Sequence, residues 1–265
     1  GHDIAQIESL LRTAVALQEP VLIHLITKKG KGYAPAEKTP QDFHGVGKFN
    51  PDTGRTSTAP AVSFSDAFGQ QMCRLAASDK SICAITAAMQ HGTGLDSFAE
   101  VYSRRFFDVG IAEGHAVCMA AGRAKQGMKP VVAIYSTFLQ RAYDMLLHDV
   151  ALQQLHVVFA VDRAGIVGAD GETHQGIYDI SYFTHMPNMT VMMPKNGIEL
   201  EKMLRYAVYN IDGPVAVRYP RGNISDIYSE NTSEIEFGKA ELLEDGEKIA
   251  VISAGAVCDN AAKVC

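Results

Sequence analysis

Glu113 stands in the stretch FFDVGIAEGHAV, where a short apolar run from Phe106 to Ile111 turns into an apolar helical pattern ending at Gly127. A carboxylate there either complements the dipole of a first helical turn, worth up to about 1 kcal/mol, or handles a proton from an apolar pocket. Further along, Arg163 follows the run HVVFAVD and Arg221 follows PVAVRYP. Two arginines from different strand ends can close on a dianion in bidentate fashion, which suits a phosphate. Asp170 and His174 share the loop RAGIVGADGETHQG, and a carboxylate near an imidazole is the common acid–base pairing at neutral pH. Met89, Tyr135 and Phe138, beside a lone carboxylate, would make an apolar slot for a planar ring. Arg141 follows on the next helix. Taken singly, each has an ordinary reading: Arg163 can pair with Asp162 in a turn, Arg221 can be solvated, His174 can bond its own loop, and Tyr135 and Phe138 can be core. Their coincidence is what points to a site.

The elements that must carry these residues alternate. From Ser63 the sequence reads as a helix over 63–78, the strand SICAIT, a short helix, a strand ending at Gly110, and a helix from Glu113. The strand KPVVAIYS, a helix over 139–154, the strand HVVFAVD and the Gly-rich loop come next. A short helix, the strand TVMMP, a helix over 198–209 and the strand GPVAVRYP complete the series. Continuous apolar strands alternating with helices imply an α/β fold with a parallel sheet covered on both faces. In such sheets ligands bind at the carboxyl ends of the strands, where Met89, Glu113, Tyr135, Arg163 and Arg221 all fall. Before this region, residues 4–18 read as a helix with Asp3 as N-cap, and PVLIHLIT reads as a buried strand. Residues 28–60, rich in Gly and Pro, read as an interdomain linker. After it, the polar stretch from Asn223 leads to KIAVISAG, read as a buried strand, and to AVCDNAAKVC, the start of a helix. The expected domains are therefore 1–27, the end of one domain; the linker 28–60; a complete α/β domain over 61–225; and 226–265, the start of a third.

Composition narrows the function class. With 24 Lys and Arg against 30 Asp and Glu, and a formal net charge of −6, a nucleic-acid-binding surface is not expected. No apolar run reaches membrane-spanning length. The opening GHDIAQIESLL has no basic n-region and no initiator Met, so neither a secretory signal nor a complete chain is expected. The five cysteines have no CxxC or zinc spacing; three read as core thiols, and a reducing cytoplasm fits them. No Walker A, GxGxxG or GxSxG pattern is present. Asp170 has no visible second partner for a magnesium site, and no metal ligands are assigned.

Taken together, TKKGKGYAPAE, FHGVGKF, FDVGIAEGHAV, KPVVAIYSTFLQRAYD, HDVA, DRAGIVGADGETHQGIYD and GPVAVRYPRG resemble the 1-deoxy-D-xylulose-5-phosphate synthase family, thiamine-diphosphate enzymes of the transketolase superfamily. The stretches span almost the whole chain. The resemblance implies a pyrimidine-binding domain of parallel-sheet type with partial flanking domains, and a homodimer. The reaction it implies is condensation of pyruvate with D-glyceraldehyde 3-phosphate. By resemblance, Glu113 bonds the aminopyrimidine ring of thiamine diphosphate and sets its tautomer, Phe138 stacks on that ring, and Met89 and Tyr33 lie at the cofactor. Arg163, Arg221 and Tyr135 match the phosphate-binding residues. Asp170 and His174 match acid–base groups near the acceptor aldehyde, His44 matches a linker histidine reaching the reacting carbons, and Arg141 supports the site by ion pairing. The Mg2+ ligands of the family belong to a GDG…N motif that this sequence lacks.

Some positions depart from the family pattern. Gly114 and Met145 each stand where Gln is common, and Ala88 and His156 where Pro is common. None of these removes a chemical group. Two other readings stay open: the pyrimidine-domain chain of a split transketolase-like enzyme, and a non-catalytic interaction module. The second is disfavoured because Glu113, Arg163, Asp170, His174 and Arg221 are all present.

Overall fold

Strands form where apolar runs can be buried on both faces. In the computed structural model, which describes residues 1–55, 61–230 and 233–265, six strands form: β1 (Ile82–Thr86), β2 (Phe106–Asp108), β3 (Lys129–Tyr135), β4 (Val158–Asp162), β5 (Thr190–Met192) and β6 (Val215–Arg218), of which β2 and β5, at the two edges, are only partly covered. They make one sheet of order β2-β1-β3-β4-β6-β5, and every neighbouring pair is parallel. All residues of β1 and β4 are buried, as strands covered on both faces require. The order reverses at β1: β2 lies on one side of it and β3 on the other. That reversal opens a crevice at the carboxyl ends of β1 and β3.

Each face of the sheet carries its own core. One packs Phe64, Phe68, Met72 and Leu75, together with Leu200 and Leu204, against Ile82, Val131 and Val217. The other packs Ala116, Val117 and Ala120 with Leu146, Val150 and Phe183 against Ile85, Val132 and Phe159. The helix Phe64–Ser78 starts with a capping box, in which the side chain of Ser63 and that of Asp66 each bond the other's backbone N–H. The helix Gly197–Asn210 starts on the side chain of Asn196. The stretch read as one helix over 139–154 is instead a helical path of changing pitch: an α-turn at Ser136–Leu139, a 3-10 turn at Gln140–Ala142, an α-turn at Tyr143–Met145, and a π-helical stretch at Leu146–Ala151.

The chain divides into two compact units, Gly1–Pro60 and Ala61–Cys265. In the first, the helix Ile4–Ala16 begins at Asp3, whose carboxylate accepts from the backbone N–H of Gln6 at 3.0 Å. The Gly- and Pro-rich stretch after it holds a short helix, Ala34–Lys38, and a cluster of Tyr33, Phe43 and Phe49 rings. Residues 56–60, the end of the expected linker, lie outside the described residues. Two runs read as buried strands are not strands. PVLIHLIT carries no regular element, with Leu22 94% exposed, and in KIAVISAG Ile252 is 97% exposed. An apolar run becomes a strand only where a neighbour can take its backbone hydrogen bonds in series; among the described residues neither run forms a strand pair, and KIAVISAG makes a single bond at its end, from Gly255 N–H to Met193 C=O at 3.1 Å. Of the cysteines, Cys83 and Cys258 are buried, Cys73 is half-buried, and Cys118 and Cys265 are exposed.

Candidate active site

The carboxyl ends of the strands bring most of the sequence-identified residues into one connected group. Glu113 opens the helix Glu113–Lys125 and is 4% exposed. Its Oε1 accepts from Nη1 of Arg141 at 3.1 Å. Burying a carboxylate is costly unless it is paired, and Arg141 supplies the pair. The guanidinium of Arg141 lies 4.9 Å from the centre of the Phe138 ring. Phe138 in turn meets His174 edge-on at 5.2 Å and stacks with Tyr135 at 5.7 Å. Met89, 6% exposed, accepts from the backbone N–H of Tyr135 through its sulfur at 3.4 Å. A half-exposed aromatic ring, a buried thioether and a buried carboxylate thus share one wall of the crevice, a surface suited to a flat ring with a polar edge.

The second half of the group is ionic. Arg163 lies with its guanidinium 3.8 Å from the centre of the Tyr135 ring. Its Nε is 3.2 Å from Oδ2 of Asp170. Arg221, from the segment after β6, donates through Nη1 to Oδ1 of the same carboxylate. Two arginines from separate strand ends therefore converge on a single pair of oxygens, as they would on an anion. Arg163 also reaches Asp162 at 3.3 Å, so the turn pairing read from the sequence and the convergence on an anion both occur. Burial pushes the Asp162 carboxyl up to about 6, against the opposing pull of Arg163. Burial also pushes the Tyr135 hydroxyl up to about 12, so this phenol stays neutral and able to donate.

Local backbone geometry marks the same place. Arg163 has φ +54° and Ala88 φ +60°, a region that costs a non-glycine residue about 1–3 kcal/mol and persists only where its surroundings impose it. The backbone N–H of Ala88 donates to Oδ1 of Asp108 at 2.8 Å. A proline there could adopt neither that φ nor that bond, so at this position the chain and the proline-bearing pattern must differ in backbone.

The loop carrying Asp170 and His174 is closed at its base by Gly165 and Gly176, whose N–H groups donate to each other's carbonyls at 2.7 and 2.8 Å. Inside it the side chain of Gln175 bonds Val167 N–H at 2.7 Å, Val167 C=O at 3.0 Å and Gly171 C=O at 2.6 Å. Sequence reasoning missed Gln175. Its only signal was an amide next to His174 in a Gly-rich loop. Tyr33 and His44 belong to the unit Gly1–Pro60. There the Tyr33 hydroxyl donates to the carbonyl of Pro51 at 2.7 Å, and His44 Nδ1 lies 3.0 Å from Lys29 Nζ.

Residues 60–226 match the family model for the transketolase pyrimidine-binding domain. The chain belongs to that family. A 1-deoxy-D-xylulose-5-phosphate synthase of Clostridium kluyveri (strain NBRC 12016) is 53% identical over 261 residues, covering 98% of this chain and 42% of that protein. One of Desulforudis audaxviator (strain MP104C) is 53% identical over 264 residues, covering 99% and 42%. The chain thus spans less than half the length of these relatives. Among solved structures, a split gene transketolase described as an inactive beta4 tetramer aligns with TM-score 0.69 and 25% identity, over 77% of this chain and 66% of that one. The transketolase pyrimidine-binding fold accounts for the six-stranded parallel sheet.

Proposed function

We propose that the full-length protein containing this chain condenses pyruvate with D-glyceraldehyde 3-phosphate, with loss of CO2, to give 1-deoxy-D-xylulose 5-phosphate. This would be the first step of non-mevalonate isoprenoid precursor synthesis and a feeder of thiamine and pyridoxal synthesis, carried out by a cytoplasmic homodimer. The observation that carries the reading is the meeting of Arg163 and Arg221 on the Asp170 carboxylate, beside the aromatic wall that ends at Glu113. The identity to the synthases supports it. Thiamine diphosphate, when bound, supplies the electron sink that lets pyruvate lose CO2.

The chain's own residues do the rest. Glu113 accepts a hydrogen bond from the polar edge of the cofactor's pyrimidine, held in line by Arg141. Phe138 and Met89 cover the ring. A phosphate dianion entering between Arg163 and Arg221 replaces Asp170 as their partner, with Tyr135 beside it. His174, against Phe138, stands where it can exchange a proton with the acceptor's carbonyl oxygen, and the released Asp170 assists. Tyr33 and His44 are assigned to the cofactor and to the reacting carbons. Among the described residues no group of three or more His, Cys, Asp or Glu could hold a metal ion. The Mg2+ ligands are assigned, by the resemblance, to the GDG…N motif that this sequence lacks.

The test is product analysis of the full-length protein with thiamine diphosphate, Mg2+, pyruvate and D-glyceraldehyde 3-phosphate. Release of CO2 with 1-deoxy-D-xylulose 5-phosphate supports the reading; ketol transfer between sugar phosphates in its place overturns it. The likeness to a split gene transketolase favours a second reading, in which a separate chain supplies the diphosphate site. Activity that appears only on adding a second chain would establish that one.

A further inference from the structure

We propose that Gly92 and Asp162 are positioning residues of the anion pocket, fixing the guanidinium of Arg163 so that it faces the same point as Arg221. The inference rests on the reading of that pocket as the phosphate site.

Arg163 is held by its neighbour Asp162 and by groups remote in sequence, Gly92 and Tyr135. Its Nη1 donates to the carbonyl of Gly92 at 3.0 Å and to Oδ1 of Asp162 at 3.3 Å, and its plane lies over Tyr135. Gly92 comes from the loop after β1. A Cβ there would stand 1.6 Å from the Tyr135 hydroxyl oxygen and 2.8 Å from Cζ. The φ of Gly92 lies outside the left-handed region, and the three atoms nearest an added Cβ all belong to Tyr135. One residue therefore does two things: its carbonyl anchors Arg163, and its missing side chain leaves room for the ring beneath Arg163. Asp162 is fully buried, and its Oδ2 accepts from the Ser65 hydroxyl at 2.7 Å. It ties Arg163 to the helix Phe64–Ser78 and hence to the core.

Bidentate recognition of a phosphate depends on the direction of the guanidinium fork as well as its charge. An alanine at position 92 must push Tyr135 away, and Arg163 rides on Tyr135. Neither Gly92 nor Asp162 is placed in contact with the substrate. Their loss should therefore weaken preference for the phosphorylated acceptor rather than chemistry in general.

The experiment compares kcat/KM for D-glyceraldehyde 3-phosphate and for unphosphorylated D-glyceraldehyde in the full-length protein with pyruvate, thiamine diphosphate and Mg2+. Gly92→Ala and Asp162→Asn should each lower the ratio of the two about tenfold, the scale of one charge-assisted hydrogen bond. A general structural role would lower both values together and leave the ratio unchanged, which overturns the proposal. Should Gly92→Ala fail to fold, Asp162→Asn decides alone. If the wild type turns over neither aldehyde, the proposed function fails, and calorimetric titration with inorganic phosphate still tests this inference. Binding about tenfold weaker in the variants supports it, and equal binding sinks it.

Discussion

Met145 lies against Gly114: a Cβ added at Gly114 would stand 3.0 Å from Met145 Cε and 3.4 Å from its Sδ. The two positions at which glutamine is common in the family pattern are thus neighbours in space, and the long side chain at one covers the missing side chain at the other. Glycine inside a helix costs about 1 kcal/mol relative to alanine, and the atoms a new Cβ would meet are the flexible end of a methionine. Gly114→Ala should therefore raise the melting temperature of the protein by about 2–4 °C. A fall in melting temperature would mean that Met145 cannot give way.

Glu113→Ala in the full-length protein should nearly abolish kcat while the melting temperature changes little. On the proposed reading the carboxylate acts on the cofactor before any later step, so decarboxylation of pyruvate and carboligation should fail together. A residue that only complements the helix dipole predicts the reverse, with up to about 1 kcal/mol of stability lost and turnover near normal.

Arg221→Ala should act on one substrate. A charge-assisted hydrogen bond is worth roughly 1.5–3 kcal/mol, so the apparent KM for D-glyceraldehyde 3-phosphate should rise about ten- to a hundredfold, with pyruvate decarboxylation spared. An unchanged KM for the phosphorylated substrate would remove Arg221 from the pocket.

Asp162 gives stability a pH dependence of definite sign. Its carboxyl ionises near 3.8 when free and near about 6 in the fold, where burial is the main cause. Between about pH 4 and 6 the unfolded chain gives up this proton while the folded chain keeps it, so Asp162's contribution falls as pH rises and the loss is complete above the folded value. Relative to Asp162→Asn, the wild type should lose about 2 kcal/mol of unfolding free energy between pH 4 and 7. Denaturant titrations of both proteins at several pH values measure this, and a difference that grows with pH would contradict it.

The 265-residue chain by itself should bind thiamine diphosphate more weakly than millimolar. Glu113 and Phe138 hold one end of the cofactor by a charged hydrogen bond and a stacked ring, a few kcal/mol at most, against an association cost of at least about 4 kcal/mol. Micromolar binding in a calorimetric titration with Mg2+ would reveal a diphosphate site among these residues.

The sheet was legible in the sequence because ICAIT, VVAIY and VFAVD are uniformly apolar runs bounded by turns, a pattern that only burial on both faces tolerates. The same signal misled at PVLIHLIT and KIAVISAG. Hydrophobicity reports a wish to be buried, while a strand also needs a neighbour's backbone. The charged members of the site were legible because strand ends in a parallel sheet share an edge. The supports were not. Gly92 and Gln175 act through contacts between residues far apart in the chain or within an irregular loop, and of Asp162 only its pairing with the adjacent Arg163 was legible, not its bond to Ser65; no periodicity encodes those contacts. The changing helical pitch between Ser136 and Ala151 was hidden for a related reason: apolar spacing fixes a face and leaves the number of residues per turn undetermined.

The bridge between Gly165 and Gly176 makes the segment between them a cassette. Both of its ends are fixed to each other before either reaches the sheet, and Gln175 organises its interior from within. Changes of length inside such a closed insert need not propagate into the strands β4 and β6 that precede Arg163 and Arg221. On the reading proposed above, Asp170 and His174 could be exchanged together by grafting this one segment, and the graft would also have to supply a partner for Arg163 and Arg221 in place of Asp170.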